Sequence, residues 1–195
     1  MVKVGFIVEG ETEKIIIQSS KFRNFLQNYG YELLDPVIDA TGGGNLLPKN
    51  IQQYIDRIQI NQPDKIFVLT DLENDPSVEE LKERIQHPNI DMVFIAVKAI
   101  EAWFLADTQA MIKFLKTDDF IEQFPEQTPE KPWDRIKEII NQLEVIKSKG
   151  QIISAIPIFE KLAISYGKNI IGTLSRLIVD EDYKIFLTDY NLEIK

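Results

Sequence analysis

VKVGFIVEGETE, residues 2–13, and KIFVLTDLEND, residues 65–75, share one pattern: a short, nearly continuous apolar run that ends in acidic residues at a turn. A run of this length bounded by turn residues reads as a strand buried on both faces, the kind found inside parallel sheets. Between the two lie a helical pattern over residues 12–29, with Ile15, Ile16, Phe22, Phe25 and Leu26 as its apolar stripe, and a weaker strand over 31–38. A glycine-rich loop, Thr41 to Asn45, then leads into a helix over 46–60 with Ile51, Tyr54, Ile55 and Ile58 at helical spacing. Beyond residue 75 the alternation continues. Ser77 and Glu80 form a capping-box pattern opening a helix to residue 85, residues 92–97 are a further buried strand, and a helix follows from about residue 100.

Strand alternating with helix, joined by right-handed crossovers, predicts an α/β fold: a parallel sheet of Rossmann-like type with helices on both faces. Residues 123–132 are rich in Pro and Glu and read as a loop. Residues 133–143 and 152–177 look helical, and the stretch from residue 180 is ambiguous between helix and edge strand. The expected organisation is a core over 1–122 and a mainly helical extension over 123–195 packed on it.

The chain has 195 residues, no Cys, and a formal net charge of −9. Absent cysteine excludes a disulfide, a thiolate nucleophile and a cysteine-ligated zinc, and fits a cytoplasmic location. The opening residues are a strand rather than a signal peptide, and no apolar stretch is long enough to span a bilayer, so no membrane partner is expected. An acidic chain binds nucleic acid poorly by charge alone, because phosphates need Lys and Arg to displace their counterions. Residues 129–176 run against that trend, with 8 basic and 5 acidic residues. Within them Lys131, Arg135, Lys137, Lys147 and Lys149 are candidate phosphate contacts.

Ligands of parallel α/β sheets bind outside the carboxyl ends of the strands. Here those ends carry Glu9, then Asp71 with Glu73 and Asp75, then Lys98 and Glu101. Adjacent strands lie about 5 Å apart, so carboxylates on neighbouring ends can share a cation. Oxygen ligands of this type suit Mg²⁺ or Mn²⁺, and Mg²⁺ takes one or two carboxylates plus water and phosphate oxygens. Glu11 and Glu13 need no such explanation, because a helix N-terminus favours acidic residues. Gly43 and Gly44 can offer backbone N–H groups to a phosphate, and Lys49 on the following helix and Lys98 at the end of the fourth strand are further candidates for phosphate or substrate binding. His87 reads as a loop residue, and Trp103 as part of a core helix.

FIVEGETEK resembles the first motif of Toprim domains, and FVLTDLEND their second, in which a strand ends in Asp-x-Asp. VKAIEAWFLAD and TGGGNLLPK are similar to a bacterial Toprim-like family known as a domain of unknown function, DUF4276, related to the Toprim domains of OLD-family nucleases. The resemblance implies that Glu9 is the general acid or base and Asp71 the first metal-binding aspartate. Glu73 stands where the second aspartate is usual, with Asp75 as a substitute. Glu101 and Trp103 match the EAW motif, and Glu101 is placed with Glu9 as catalytic. The implied function is a Mg²⁺-dependent nuclease or phosphodiester-processing protein acting on DNA or RNA, in phage defence beside a partner protein of a defence operon. A non-catalytic metal- or nucleotide-binding regulatory module is the alternative. A phospho-aspartyl receiver ranks last, because Lys98 follows the fourth strand where a hydroxyl residue would be needed.

Overall fold

The computed structural model describes residues 1–129 and 131–142. Its sheet is five-stranded and wholly parallel. β1 (Val2–Val8) is central. On one side it pairs first with β2 (Tyr31–Leu33) and, at its carboxyl end, with β3 (Ile38–Asp39). On the other side it pairs with β4 (Lys65–Asp71), which pairs with β5 (Met92–Ala96). The chain therefore reverses its direction of sheet growth between β1 and β4, and their carboxyl ends form the switch point where α/β sheets bind ligands.

Alternation along each strand divides the core in two. Val4, Phe6 and Val8 of β1, Phe67 and Leu69 of β4, and Phe94 and Ala96 of β5 face one layer. There they meet Ile17 of α1 (Glu11–Gln18) and Leu26 of α2 (Ser20–Asn28). Ile7, Ile66, Val68, Val93 and Ile95 face the other. That layer is covered by α3 (Pro48–Gln59) through Ile51, Ile55 and Ile58, and by α4 (Val78–Ile85) through Leu81 and Ile85. Gly5 marks the closest approach, because a Cβ there would stand 2.6 Å from Ile58 Cδ1. A third cluster joins α5 (Ala102–Ala106), α6 (Thr108–Leu115) and α7 (Pro132–Gln142) through Phe104, Leu105, Met111, Leu115, Ile136, Ile139 and Ile140. The described part of the C-terminal extension is thus held against α5, which itself roots in the first layer through Trp103.

Three elements are shorter than their apolar patterns suggest, each with a local cause. The helix expected over 12–29 breaks at Ser19, whose hydroxyl accepts the Phe22 N–H and starts α2 afresh. The strand expected over 31–38 is interrupted around Pro36, which has no N–H to give to a ladder. The helix from residue 100 breaks at Asp107, whose carboxylate caps α6 by accepting the Ala110 N–H. Ser77 caps α4 as its pattern predicts, accepting the Glu80 N–H at 3.1 Å. The expected helix over 152–177 and the segment from 180 lie outside the described residues. Among the described residues, no helix is long and apolar enough to cross a membrane.

Candidate metal and phosphate site

The register that aligns Val8 with Leu69 puts Glu9 beside Thr70 and Asp71. Three donors fix the Glu9 carboxylate. Its Oε2 accepts the Thr70 hydroxyl at 2.5 Å and the Asp71 N–H at 3.1 Å, and its Oε1 accepts the Gly43 N–H at 3.1 Å. The glycine loop docks on the same residue through its backbone, with the Gly42 N–H donating to the Glu9 carbonyl at 2.8 Å. A Cβ on Gly43 would stand 3.1 Å from Glu9 Oε1, so the loop approaches this closely only because that side chain is missing.

Asp71 closes the next link, its Oδ1 accepting the Ile100 N–H at 2.9 Å. Three segments thereby meet at one edge: the end of β1, the end of β4, and the turn into α5. Burial pushes the Asp71 carboxyl up to about 9, and the charges of Glu13, Glu101 and Glu9 push the same way. Glu13, only 4 % exposed, is raised to about 7 by burial, with Glu101 and Glu9 adding to it. Burial also raises Glu101, and Glu73 adds to the rise while Lys131 opposes it. Glu9, Glu13, Asp71 and Glu101 therefore act on one another as a single acidic cluster. Glu13 is the member that the helix-dipole reading of the sequence passed over. It stands in the first turn of α1, directly after the strand end that carries Glu9.

The other candidates are placed less centrally. Glu73 lies on the rim, 3.6 Å from Lys131 Nζ, and its N–H donates to the Lys98 carbonyl at 2.7 Å. Asp75 is taken by Arg84 through two contacts, 2.6 and 2.7 Å. Lys98 points its Nζ toward Thr128 Oγ1 at 3.5 Å, and it is Lys131 rather than Lys98 that tempers Glu101. Lys49 is exposed in the first turn of α3. Gly43 and Gly44 line a cleft of about 180 Å³ together with Glu9, Thr70, Asp71, Glu73, Asp75 and Arg84. Thr70 and Arg84 are site residues that no sequence motif marked. Arg135 is engaged by Glu122 and Glu138, and Lys137 by Asp134, while Lys147 and Lys149 lie outside the described residues. His87 is a loop residue whose Nδ1 accepts the Asn89 N–H, and Trp103 is buried in the core.

Among the described residues, no three Asp, Glu or His side chains are grouped so that they could hold a metal ion together. The donor set suits instead a hard cation held by one or two carboxylates, with water and ligand oxygens completing its shell. Asp71, buried among like charges with only one oxygen given to a described backbone donor, has an oxygen that could face such a cation.

The family described as "Domain of unknown function (DUF4276)" matches residues 8–165. No curated protein matches the chain. Among solved structures, the C-terminal region of the OLD protein of Xanthomonas campestris pv. campestris is similar at 14% identity and a TM-score of 0.37, over 92% of this chain and 97% of that one.

Proposed function

The chain belongs to the DUF4276 family, and from that premise we propose that the acidic cleft is a Toprim-like Mg²⁺ or Mn²⁺ site that processes a phosphodiester of DNA or RNA. The observation that carries the proposal is the burial of Asp71 among Glu9, Glu13 and Glu101 at the sheet's switch point. Unrelieved, that arrangement costs the fold free energy, because like charges in a poorly solvated place repel strongly. The links that Glu9 and Asp71 make between segments do not account for the burial of Glu13 and Glu101 beside them, whereas cation binding would.

Asp71 and Glu9 are the proposed ligands, with Glu73 reaching in from the rim if Lys131 releases it. When bound, the cation would neutralise a nonbridging phosphate oxygen and stabilise charge on the attacking or leaving oxygen. The chain's own part is to orient and to handle protons. Thr70, the Asp71 N–H and Gly43 fix the Glu9 carboxylate at the cleft wall. Glu101 and Glu13 act on the site through charge, both helping to keep the Asp71 carboxyl protonated. Nuclease action in phage defence is the finer form of the reading, supported by the four ordered motifs.

One observation favours the alternative of a binding module without turnover. Glu73 replaces the second aspartate and is turned to Lys131, and Asp75 is turned to Arg84, so a second metal has no ready ligands. A titration of the full chain with Mn²⁺, read as a shift in melting temperature and followed by assays on single- and double-stranded DNA and RNA, separates the two. Metal binding that depends on Asp71 with metal-dependent cleavage supports the enzyme. Metal binding without cleavage of any of these substrates assigns the module. A metal response unchanged in Asp71→Asn sinks both.

A further inference from the structure

Arg84 is the one cationic side chain among the residues lining the cleft, whose other charged members are Glu9, Asp71, Glu73 and Asp75. It comes from the last turn of α4, and its guanidinium is half exposed. Asp75 holds it through both carboxylate oxygens, Nη1 to Oδ1 at 2.6 Å and Nη2 to Oδ2 at 2.7 Å, with the Asp75 side chain only 19% exposed. Asp75 is itself set by its backbone N–H, which donates to the Leu72 carbonyl at 2.9 Å just after β4. This is a two-point fork that fixes the plane of the guanidinium.

A half-exposed ion pair contributes little to stability, so stability is a poor reason for the pair. The donor count supplies a better one. An arginine has five N–H donors, and the fork to Asp75 uses two. The remaining edge is a planar donor set suited to a phosphate, at the mouth of a cleft whose other side chains would repel that anion.

We propose that Arg84 binds a nonbridging phosphate oxygen of the nucleic-acid strand entering the cleft, and that Asp75 is its positioning residue rather than a metal ligand. The inference rests on the reading of the cleft as a phosphodiester site and adds the residue that draws the strand in. It accounts for an acidic chain handling a polyanion: Arg84 is a cation in the cleft lining itself, whereas Lys131, Arg135 and Lys137 of the basic segment pair with carboxylates and are not among the lining residues.

The test uses the full chain as wild type, Arg84→Gln, Arg84→Lys, Asp75→Asn and Asp71→Asn. Binding of a labelled single-stranded oligonucleotide, DNA and RNA in separate arms, is followed by anisotropy in Ca²⁺ across a range of salt. The Mn²⁺-induced shift in melting temperature is measured in parallel. Arg84→Gln is expected to weaken binding by about tenfold and to lower the slope of log K against log salt by about 0.7, the value of one phosphate contact on a single strand. Arg84→Lys should restore the slope but not the whole affinity, because an ammonium has no fork. Asp75→Asn should lose affinity while keeping the slope, and both positions should keep the Mn²⁺ response. Wild-type affinity and slope in Arg84→Gln overturn the inference, as does loss of the Mn²⁺ response in Asp75→Asn. If that happens while Asp71→Asn abolishes the Mn²⁺ response, the phosphodiester reading stands without Arg84. A wild type that binds neither oligonucleotide overturns both.

Discussion

Asp71→Asn should make the metal-free protein more stable, although it removes a side chain from a buried hydrogen-bonded position. The Asp71 carboxyl moves from 3.8 to about 9 on folding, with burial as the main cause and Glu13, Glu101 and Glu9 behind it. The folded state therefore binds more protons than the unfolded chain between those values. Stability is fully present below about pH 4 and declines as pH rises, until the folded group ionises near pH 9. From 3.8 to neutrality is about three pH units, at 1.36 kcal/mol each, so the wild type carries a handicap on the order of 4 kcal/mol at pH 7. Asparagine is close in shape and neutral, and its carbonyl can still accept the Ile100 N–H that Asp71 Oδ1 accepts at 2.9 Å. Allowing for relaxation around a charged site, the gain should be about 2–4 kcal/mol at pH 7 and should vanish near pH 4. Urea melts of both proteins in a chelator across this pH range, read as their difference, cancel the titrating groups outside the acidic cluster. With saturating Mn²⁺ the order should invert, because only the wild type gains from binding. If Asp71→Asn is the less stable protein in chelator at pH 8, the reasoning from buried like charge is wrong.

Three further outcomes follow from neighbouring residues. Glu101→Gln should raise the stability of the metal-free protein at pH values above 4.5, where the unfolded carboxyl ionises first, and weaken the Mn²⁺-induced shift in melting temperature; destabilisation with an intact metal response would make Glu101 a purely structural residue. Gly43→Ala puts a methyl 3.1 Å from Glu9 Oε1, so the loop must retreat; a loss of about 1 kcal/mol in a urea melt, with a larger proportional loss in metal affinity, is the expected pattern. Lys98 adopts φ 71°, where glycine is at ease and a lysine is not, so Lys98→Gly should stabilise by up to about 1 kcal/mol while weakening any anion binding, as measured by melting and oligonucleotide titration.

Much of the fold was legible because its strands are buried on both faces and each obeys the period of two. Phe67 and Leu69 go to one layer and Ile66 and Val68 to the other. The breaks at Ser19 and Asp107 were not legible as breaks. Apolar spacing runs straight through them, and a capping oxygen is visible only once its N–H partner is placed. The site divides in the same way. Glu9 and Asp71 stand at strand ends, where sequence position fixes spatial position. Glu13 was underread because its burial depends on α1 lying over the edge next to α5, a tertiary fact. Asp75 looked like a ligand from its place in an acidic string, and only the return of α4 shows that Arg84 occupies it. Lys147 and Lys149 lie outside the described residues, so the basic segment is seen only in part.

The costs of this structure fall together. Of the non-glycine residues at positive φ among those described, Glu73 and Lys98 sit in the loops that leave β4 and β5, and the Glu73 N–H to Lys98 carbonyl bond at 2.7 Å ties one strained loop to the other. Beside them stand the raised carboxyls of Asp71, Glu13 and Glu101. Backbone strain and buried like charge each oppose folding, and a chain selected for stability alone would spread or remove them. The raised carboxyls and three of the five positive-φ positions, Thr41, Glu73 and Lys98, occur at the carboxyl edge of the sheet, with Gln62 and Lys116 elsewhere, while the layers beneath are packed with Ile, Val, Leu and Phe that offset the expense. A cation relieves the charge, and by doing so it also offsets the repulsion between these acids and a phosphate held by Arg84. Occupation by the two together should therefore stabilise the protein by more than the sum of their separate effects. Thermal melts with Mn²⁺ alone, oligonucleotide alone and both test that coupling, and strict additivity would mean that the acidic cluster and the Arg84 fork serve unrelated ends.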